Sequence, residues 1–394
     1  MDSFFRTHSY LVNHLENPVR RDLMDEINWN DRLIGIKGAR GVGKTTFLLQ
    51  YAKERFPADD RTCLYINTNN FYVQNVGIYE FASEFYSSGG KVLLIDQVYK
   101  QPDWSQQLRE CYDHLPGLKI VFTGSPVMRL KEENPELNGI VKSYNLRGFS
   151  LREYLQVMTG MKLPKFTLED IIENHTDLAR QVLSIVNPRE HLGSYLHHGY
   201  YPFFLSSGCY SERLLNTMNM MIEVDILLIK QIELKYLAKI KQLFYLLTTS
   251  GSIVPNVSQL SVELEMSRAT VMRYIKYLME ARLVNMIYAK GDQYPKKPAR
   301  VLLHNTNLMY SFYPRTFDSQ DVQETFFCNT LWKDHEVFKH GQQACSFNID
   351  GKYEFKIVEH ATKLKSKSKT LFAVNHCDVG DGNQIPLWLF GFLY

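Results

Sequence analysis

The sequence predicts an α/β fold. A parallel-sheet domain (1–150) should be followed by a helical lid or linker (151–239), a winged helix-turn-helix (240–303) and a second α/β domain (304–394). Three observations carry this. Short apolar runs alternate with helical stretches between Arg32 and Phe122, the pattern of a parallel sheet with helices on both faces. A glycine-rich octapeptide, GARGVGKT, sits at the first strand-to-helix junction. From Ile240 the order becomes helix, short helix, helix and hairpin, as in a winged helix.

The chain has 394 residues, enough for two to four domains at roughly 100–200 residues each. Its 45 basic and 42 acidic residues leave a net charge of +3, so an electrostatic case for nucleic acid must rest on local clusters. The longest apolar window, MNMMIEVDILLI, is broken by Glu223 and Asp225, and the amino terminus has acids and no apolar core of a signal peptide. A cytoplasmic protein without a membrane span is expected. The six cysteines form no C-x-x-C pair, which points to reduced core thiols rather than a zinc site or disulfide frame.

The first strand, RLIGIK, runs into GARGVGKT, and the helix TTFLLQYAKERF runs out of it. That context is what a P-loop needs. Gly38, Ala39, Arg40, Gly41, Val42 and Gly43 should wrap backbone N–H groups around a phosphate at the positive end of the helix that Lys44, Thr45 and Thr46 begin. Lys44 should reach the β- and γ-phosphates of ATP, and the Thr45 hydroxyl should ligate Mg²⁺. The strand KVLLID ends in Asp96, a second Mg²⁺ ligand, and the next residue is Gln97. KIVFTGS ends in Thr123, Gly124 and Ser125, which could place a hydroxyl near the γ-phosphate.

These motifs together resemble the AAA+ ATPases. The stretches GVGKTTFLLQ, LLIDQVYKQPDWSQQLRE, KIVFTGSP and YNLRGFSLREYL are similar to those of the prokaryotic AAA family ATPases that carry a winged helix and a DUF4143-type C-terminal domain. The resemblance implies a glutamate at position 97, the base that orients the attacking water. An amide can hold a water but cannot accept its proton, so ATP binding should survive and hydrolysis should be slow. The resemblance also implies a homo-oligomer, in a ring or other assembly, with an arginine reaching a neighbour's γ-phosphate; Arg129, Arg147 and Arg152 are candidates, Arg129 first.

In the helix-turn-helix, SRATVMRYIKYL should be the recognition helix, with Ser267 at its N-cap and Val271, Ile275 and Leu278 facing inward. Arg268, Arg273 and Lys276 could then meet DNA phosphates, joined by Lys296, Lys297 and Arg300 in the wing. Beyond Thr306, ACSFNID, KYEFKIVE, KTLFAVN and PLWLFGFLY read as strands. The resemblance implies a restriction-endonuclease-like PD-(D/E)xK fold for them, and Glu354 and Lys356 supply E-x-K. Ser346 or Asn348 stands where the metal-binding aspartate belongs, and Asp350 sits in a DG turn. This domain should bind structured or branched DNA without cutting it. The rival expectation is an ATP-gated protein-interaction regulator of a defence or toxin-type system.

Overall fold

A computed structural model describes residues 1–16, 19–57, 59–128, 134–249, 255–311, 319–341, 346–361 and 369–394. They form two compact units, Met1–Gly148 and Phe149–Tyr394.

The first unit opens with a helix, Asp2–Asn13. Five strands follow: β1 (Leu33–Lys37), β2 (Cys63–Asn67), β3 (Val92–Asp96), β4 (Lys119–Gly124) and β5 (Lys142–Asn145). Their spatial order is β2-β3-β4-β1-β5, and every pairing is parallel. The runs LIGIK, CLYIN and VLLID are apolar up to their last residue because helices cover both faces of a parallel sheet. Three of the intervening helices are Lys44–Arg55, Ile78–Ser87 and Trp104–His114. Parallel strands all end at one edge of the sheet, where loops are free to hold a ligand. Asn67, Asp96, Thr123 and the loop after β1 are gathered there by register: Asn67 lies opposite Asp96, and Ile36 opposite Thr123.

The second unit begins with helices Leu151–Thr159, Leu168–Leu183 and Pro188–His198. The first two start at capping boxes, Ser150 with Glu153 and Thr167 with Asp170, each satisfying two helix-end N–H groups. A helix Tyr210–Met220 runs on through a π-helical stretch, Met221–Ile226. Next come helices Leu237–Thr249, Val257–Glu263 and Arg268–Glu280, then the antiparallel pair β6 (Val284–Ile287) and β7 (Arg300–Leu303). Ser267 accepts from the Thr270 N–H, and Val271, Ile275 and Leu278 are buried, as their spacing implied.

The chain ends in a mixed sheet with strand order β12-β11-β10-β9-β8. These are β8 (Val337–Lys339), β9 (Ser346–Ile349), β10 (Tyr353–Val358), β11 (Leu371–Val374) and β12 (Gln384–Pro386). β10, β11 and β12 are parallel; β9 is antiparallel to both β8 and β10. The helix Ser319–Leu331 packs on it. The helical stretch expected as a lid shares this sheet's core: Leu151, Tyr154, Ile171, Val182 and Tyr195 cluster with Phe327, Phe347, Phe355 and Trp388.

Three expectations are corrected. PLWLFGFLY is a strand only to Pro386; Leu387–Phe392 forms a 3-10 helix, buried throughout. A run apolar on all sides has no periodicity to separate strand from helix. Cys63, Cys111 and Cys328 are buried as expected, but Cys209 is exposed and Cys377 half-buried; Cys345 and Arg129 lie outside the described residues. Arg300 is not a surface residue of the wing. Its side chain, at the start of β7, is buried and paired with Glu324 of the helix Ser319–Leu331, itself fully buried.

Candidate nucleotide site

The loop after β1 owes its shape to its glycines. Gly41 and Gly43 have φ of 85° and 95°, a left-handed backbone that glycine adopts at little cost. At Gly38, a β-carbon would lie 2.4 Å from the Leu146 carbonyl oxygen, so no larger residue fits. Lys44 Nζ donates to the carbonyls of Gly38 and Ala39 at 2.8 and 2.9 Å. Its ammonium therefore lies over the loop that its own N–H groups help to form. Arg40 donates to the Tyr99 hydroxyl at 2.9 Å, and Thr46, the third residue of the helix, is half-buried.

Asp96 is buried at the end of β3 and collects hydroxyl donors from three elements. Thr45 Oγ1 donates to its Oδ2 at 2.6 Å, Tyr65 from β2 to the same oxygen at 3.0 Å, and Thr123 from β4 to Oδ1 at 2.5 Å. Asn67 adds an amide at 3.4 Å. A buried carboxylate survives only when such donors replace lost water. Burial, and then the charge of Asp96, pushes the Tyr65 hydroxyl well above its ordinary pKa, so it stays protonated and donating.

Gln97 adopts φ 58°, ψ 43°, a conformation that costs a residue with a side chain about 1 kcal/mol or more. Hydrogen bonds hold it from both sides. Its N–H donates to Thr123 Oγ1 at 2.9 Å, and Thr68 Oγ1 donates to its carbonyl at 2.6 Å. The backbone thus sets where the Gln97 side chain leaves the sheet, independently of whether it ends in an amide or a carboxylate.

Thr123 consequently spends its hydroxyl on Asp96 and Gln97; it is a positioning residue. Ser125 is buried and accepts from the Val127 N–H at 3.3 Å, shaping its own turn. Arg152 is also buried, donating to the Tyr394 carbonyl and to Gln156 at 3.2 Å each, which removes it as an arm toward a neighbouring molecule. Arg147 is half-buried. Sequence reading missed Arg21, whose guanidinium donates to the carbonyls of Val42, Arg147 and Gly148 and so ties the loop to the end of its unit. It also missed Tyr65, in a strand with no motif of its own, and Thr68, in the turn just after that strand.

Residues 30–155 match the model of the AAA domain. That segment holds the loop, Asp96, Gln97 and Thr123 together. Over 289 residues the chain is 24% identical to an uncharacterized protein of Methanocaldococcus jannaschii, covering 70% of this chain and 61% of the relative; the chain thus spans about three fifths of that relative's length. Two solved structures are similar at low scores. RuvB of Thermotoga maritima has a TM-score of 0.28 and 13% identity, over 73% of this chain and 89% of that one. The ORC1 protein of Aeropyrum pernix, in complex with DNA, has a TM-score of 0.32 and 11% identity, over 82% and 91%.

The basic residues expected at DNA are divided in their surroundings. Arg268, Arg273 and Lys297 are exposed. Lys276 lies over the Tyr294 ring at 4.3 Å, and Lys296 pairs with Asp292 at 2.5 Å. In the last sheet Asn348 faces Glu354 and Ser346 faces Lys356. Asp350 is engaged in its turn, accepting from the Glu336 N–H at 2.8 Å and meeting His335 at 2.7 Å. No cluster of three or more metal-ligating side chains occurs among the described residues, and no helix among them is long and apolar enough to cross a membrane.

Proposed function

We propose that this chain is an AAA+-type ATPase that binds ATP and Mg²⁺ on Gly38–Thr46 and acts on, or is regulated by, DNA as a cytoplasmic homo-oligomer. The observation that carries it is the 2.6 Å contact between Thr45 and Asp96 beside the loop that holds Lys44. A hydroxyl and a carboxylate are the oxygens a hard cation takes, and Mg²⁺ asks for only one or two protein ligands when phosphates and water complete its shell. Bound there, Mg²⁺ would neutralise charge on the β- and γ-phosphates. Lys44 would hold the same phosphates, and Gln97 would hold the attacking water without taking its proton, leaving hydrolysis slow.

In this reading helices Leu237–Thr249, Val257–Glu263 and Arg268–Glu280, with β6 and β7, form a winged helix whose Arg268, Arg273 and Lys297 meet the DNA backbone. The sheet β8–β12 is a nuclease-like fold kept for binding, since Ser346 or Asn348 stands where the acid that cutting requires belongs. Lys44→Ala should abolish binding of a fluorescent ATP analogue; unchanged affinity overturns the ATP assignment. Arg268→Ala or Arg273→Ala should weaken duplex and four-way DNA alike and lower the salt slope by about one for each phosphate no longer neutralised.

A second reading, the ATP-gated protein-interaction regulator, is favoured by one observation. Val262, on the short helix Val257–Glu263, is 80% exposed, an apolar side chain suited to a protein surface. Affinity and salt slope that ignore the arginine substitutions would select it.

A further inference from the structure

Arg40 carries the only charged side chain between Gly38 and Gly43, and its backbone is fixed from both sides. The Ala39 carbonyl before it accepts from Lys44 Nζ at 2.9 Å, and Gly41 after it is left-handed at φ 85°. From that start Nη2 reaches the Tyr99 hydroxyl at 2.9 Å. Tyr99 is set in turn by a short 3-10 helix, Val98–Lys100, that begins at Gln97, whose carbonyl accepts the Lys100 N–H at 3.0 Å. The hydroxyl that holds the Arg40 guanidinium therefore stands two residues from Gln97 on a rigid turn.

In the sheet, β4 lies between β1 and β3. A hydrogen bond from the loop after β1 to the turn after β3 thus spans the end of β4, where Thr123 donates to Asp96 and accepts from the Gln97 N–H. Arg40 and Tyr99 are both half-buried there, so water screens the charge less than at an open surface. A phosphate chain on this loop has one order. The loop N–H groups take the inner phosphate at the start of the helix, and Lys44 bridges from it to the terminal one. The terminal phosphate is then the one beside Gln97 and Thr123, on the side to which Tyr99 draws the guanidinium. Arginine's planar fork matches the oxygens of a phosphate.

We infer that the Arg40 side chain binds the terminal phosphate of a nucleoside triphosphate from within the same chain, and that Tyr99 is the positioning residue that aims it. This rests on the nucleotide reading above and deepens it in one respect. The loop N–H groups meet phosphates that a diphosphate and a triphosphate both carry, whereas Arg40 meets the one that only the triphosphate has. The side chain thus sets a preference for the triphosphate, with a cation that no neighbouring molecule has to supply.

The test is calorimetry on the full chain with Mg²⁺ and either ADP or a non-hydrolysable ATP analogue, and it reads the ratio of the two affinities. The parent should favour the triphosphate. Arg40→Ala should weaken the triphosphate roughly tenfold to a hundredfold, the scale of a hydrogen bond to a charged group, and ADP far less, because the backbone N–H groups stay. Arg40→Lys, which keeps the charge without the fork, should fall between. Tyr99→Phe should lower triphosphate affinity roughly threefold to tenfold, and should add nothing in the Arg40→Ala background, since a positioning residue acts only through the group it positions. Equal losses for ADP and the triphosphate in Arg40→Ala, or a ratio that stays at the parent's value, overturn the inference. A Tyr99→Phe effect that persists without the Arg40 side chain overturns the role of Tyr99. A parent that binds neither nucleotide overturns the nucleotide reading itself, an outcome distinct from a parent that binds both while Arg40→Ala keeps its preference.

Discussion

Tyr65 of β2 donates its hydroxyl to Asp96 Oδ2 of β3 at 3.0 Å, so the acid at the candidate nucleotide site is held by a strand that carries no recognisable motif. The ring is buried and the proton is locked on by burial and by Asp96 itself. Tyr65→Phe keeps the ring and removes only the donor. A hydrogen bond to a charged group contributes about 1.5–3 kcal/mol, and urea unfolding should show a loss on that scale. Titration of a fluorescent ATP analogue against Mg²⁺ should also show weaker Mg²⁺ dependence, because Asp96 becomes less firmly oriented. Stability and Mg²⁺ response both equal to the parent would mean Thr45 and Thr123 suffice to hold the carboxylate.

Gln97 gives the second expectation. Its backbone is clamped by Thr68 and Thr123 whatever its side chain carries, so Gln97→Glu should fold unchanged and differ only in its ability to take a proton. Steady-state phosphate release should rise by something like the ~10²–10⁴-fold that a positioned general base contributes. Equal rates at saturating ATP, with and without DNA, would place the base elsewhere.

The parallel sheet and the loop after β1 were legible because their signals are local: apolar runs covered on both faces, and glycines where φ must be positive. Ser267 and the inner face of its helix were legible for the same reason. What escaped reading was held by contacts between residues far apart in sequence. Arg21 reaches Val42 and Gly148, Arg300 reaches Glu324, and Glu359 gathers partners from positions 319 to 376. A basic residue in a hairpin looks the same in sequence whether it meets phosphate or a buried acid. Thr123 was legible as a polar residue at a strand end, but not its direction, which depends on where β3 lies.

His8, in the first helix, gives a pH expectation. Its Nδ1 accepts from the Tyr65 N–H at 3.0 Å, and burial lowers its pKa from the ordinary 6.5. Because the folded state binds the proton less readily than the unfolded chain, this contribution to stability is fully present above about pH 6.5 and is lost as the pH falls through the lower folded value. Urea midpoints should drop between pH 7.5 and 5.5 in the parent, and less steeply in His8→Gln. Parallel slopes would assign the acid sensitivity to other groups; His175, also buried with a lowered pKa, is the next to substitute.

The buried Arg300–Glu324 pair bears on how any DNA-binding defect is interpreted. Burial pushes the Glu324 carboxyl above its usual range despite the opposing pull of Arg300, so the loss of water outweighs the attraction of the partner. Such pairs contribute little net stability, yet removing one member strands the other, at about 3–5 kcal/mol. Arg300→Met alone should therefore lower the urea midpoint strongly, whereas Arg300→Met with Glu324→Leu should recover most of the loss or exceed the parent. Under the proposed DNA role, the single substitution would also weaken that binding, through a loosened β7 rather than through a missing charge at a phosphate. Salt dependence separates the two: removing a charge that neutralises a phosphate lowers the slope of log affinity against log salt by about one, while loosening lowers affinity at constant slope. If the double substitution stays as unstable as the single one, the pair is making a net contribution and the balance inferred from Glu324 is reversed.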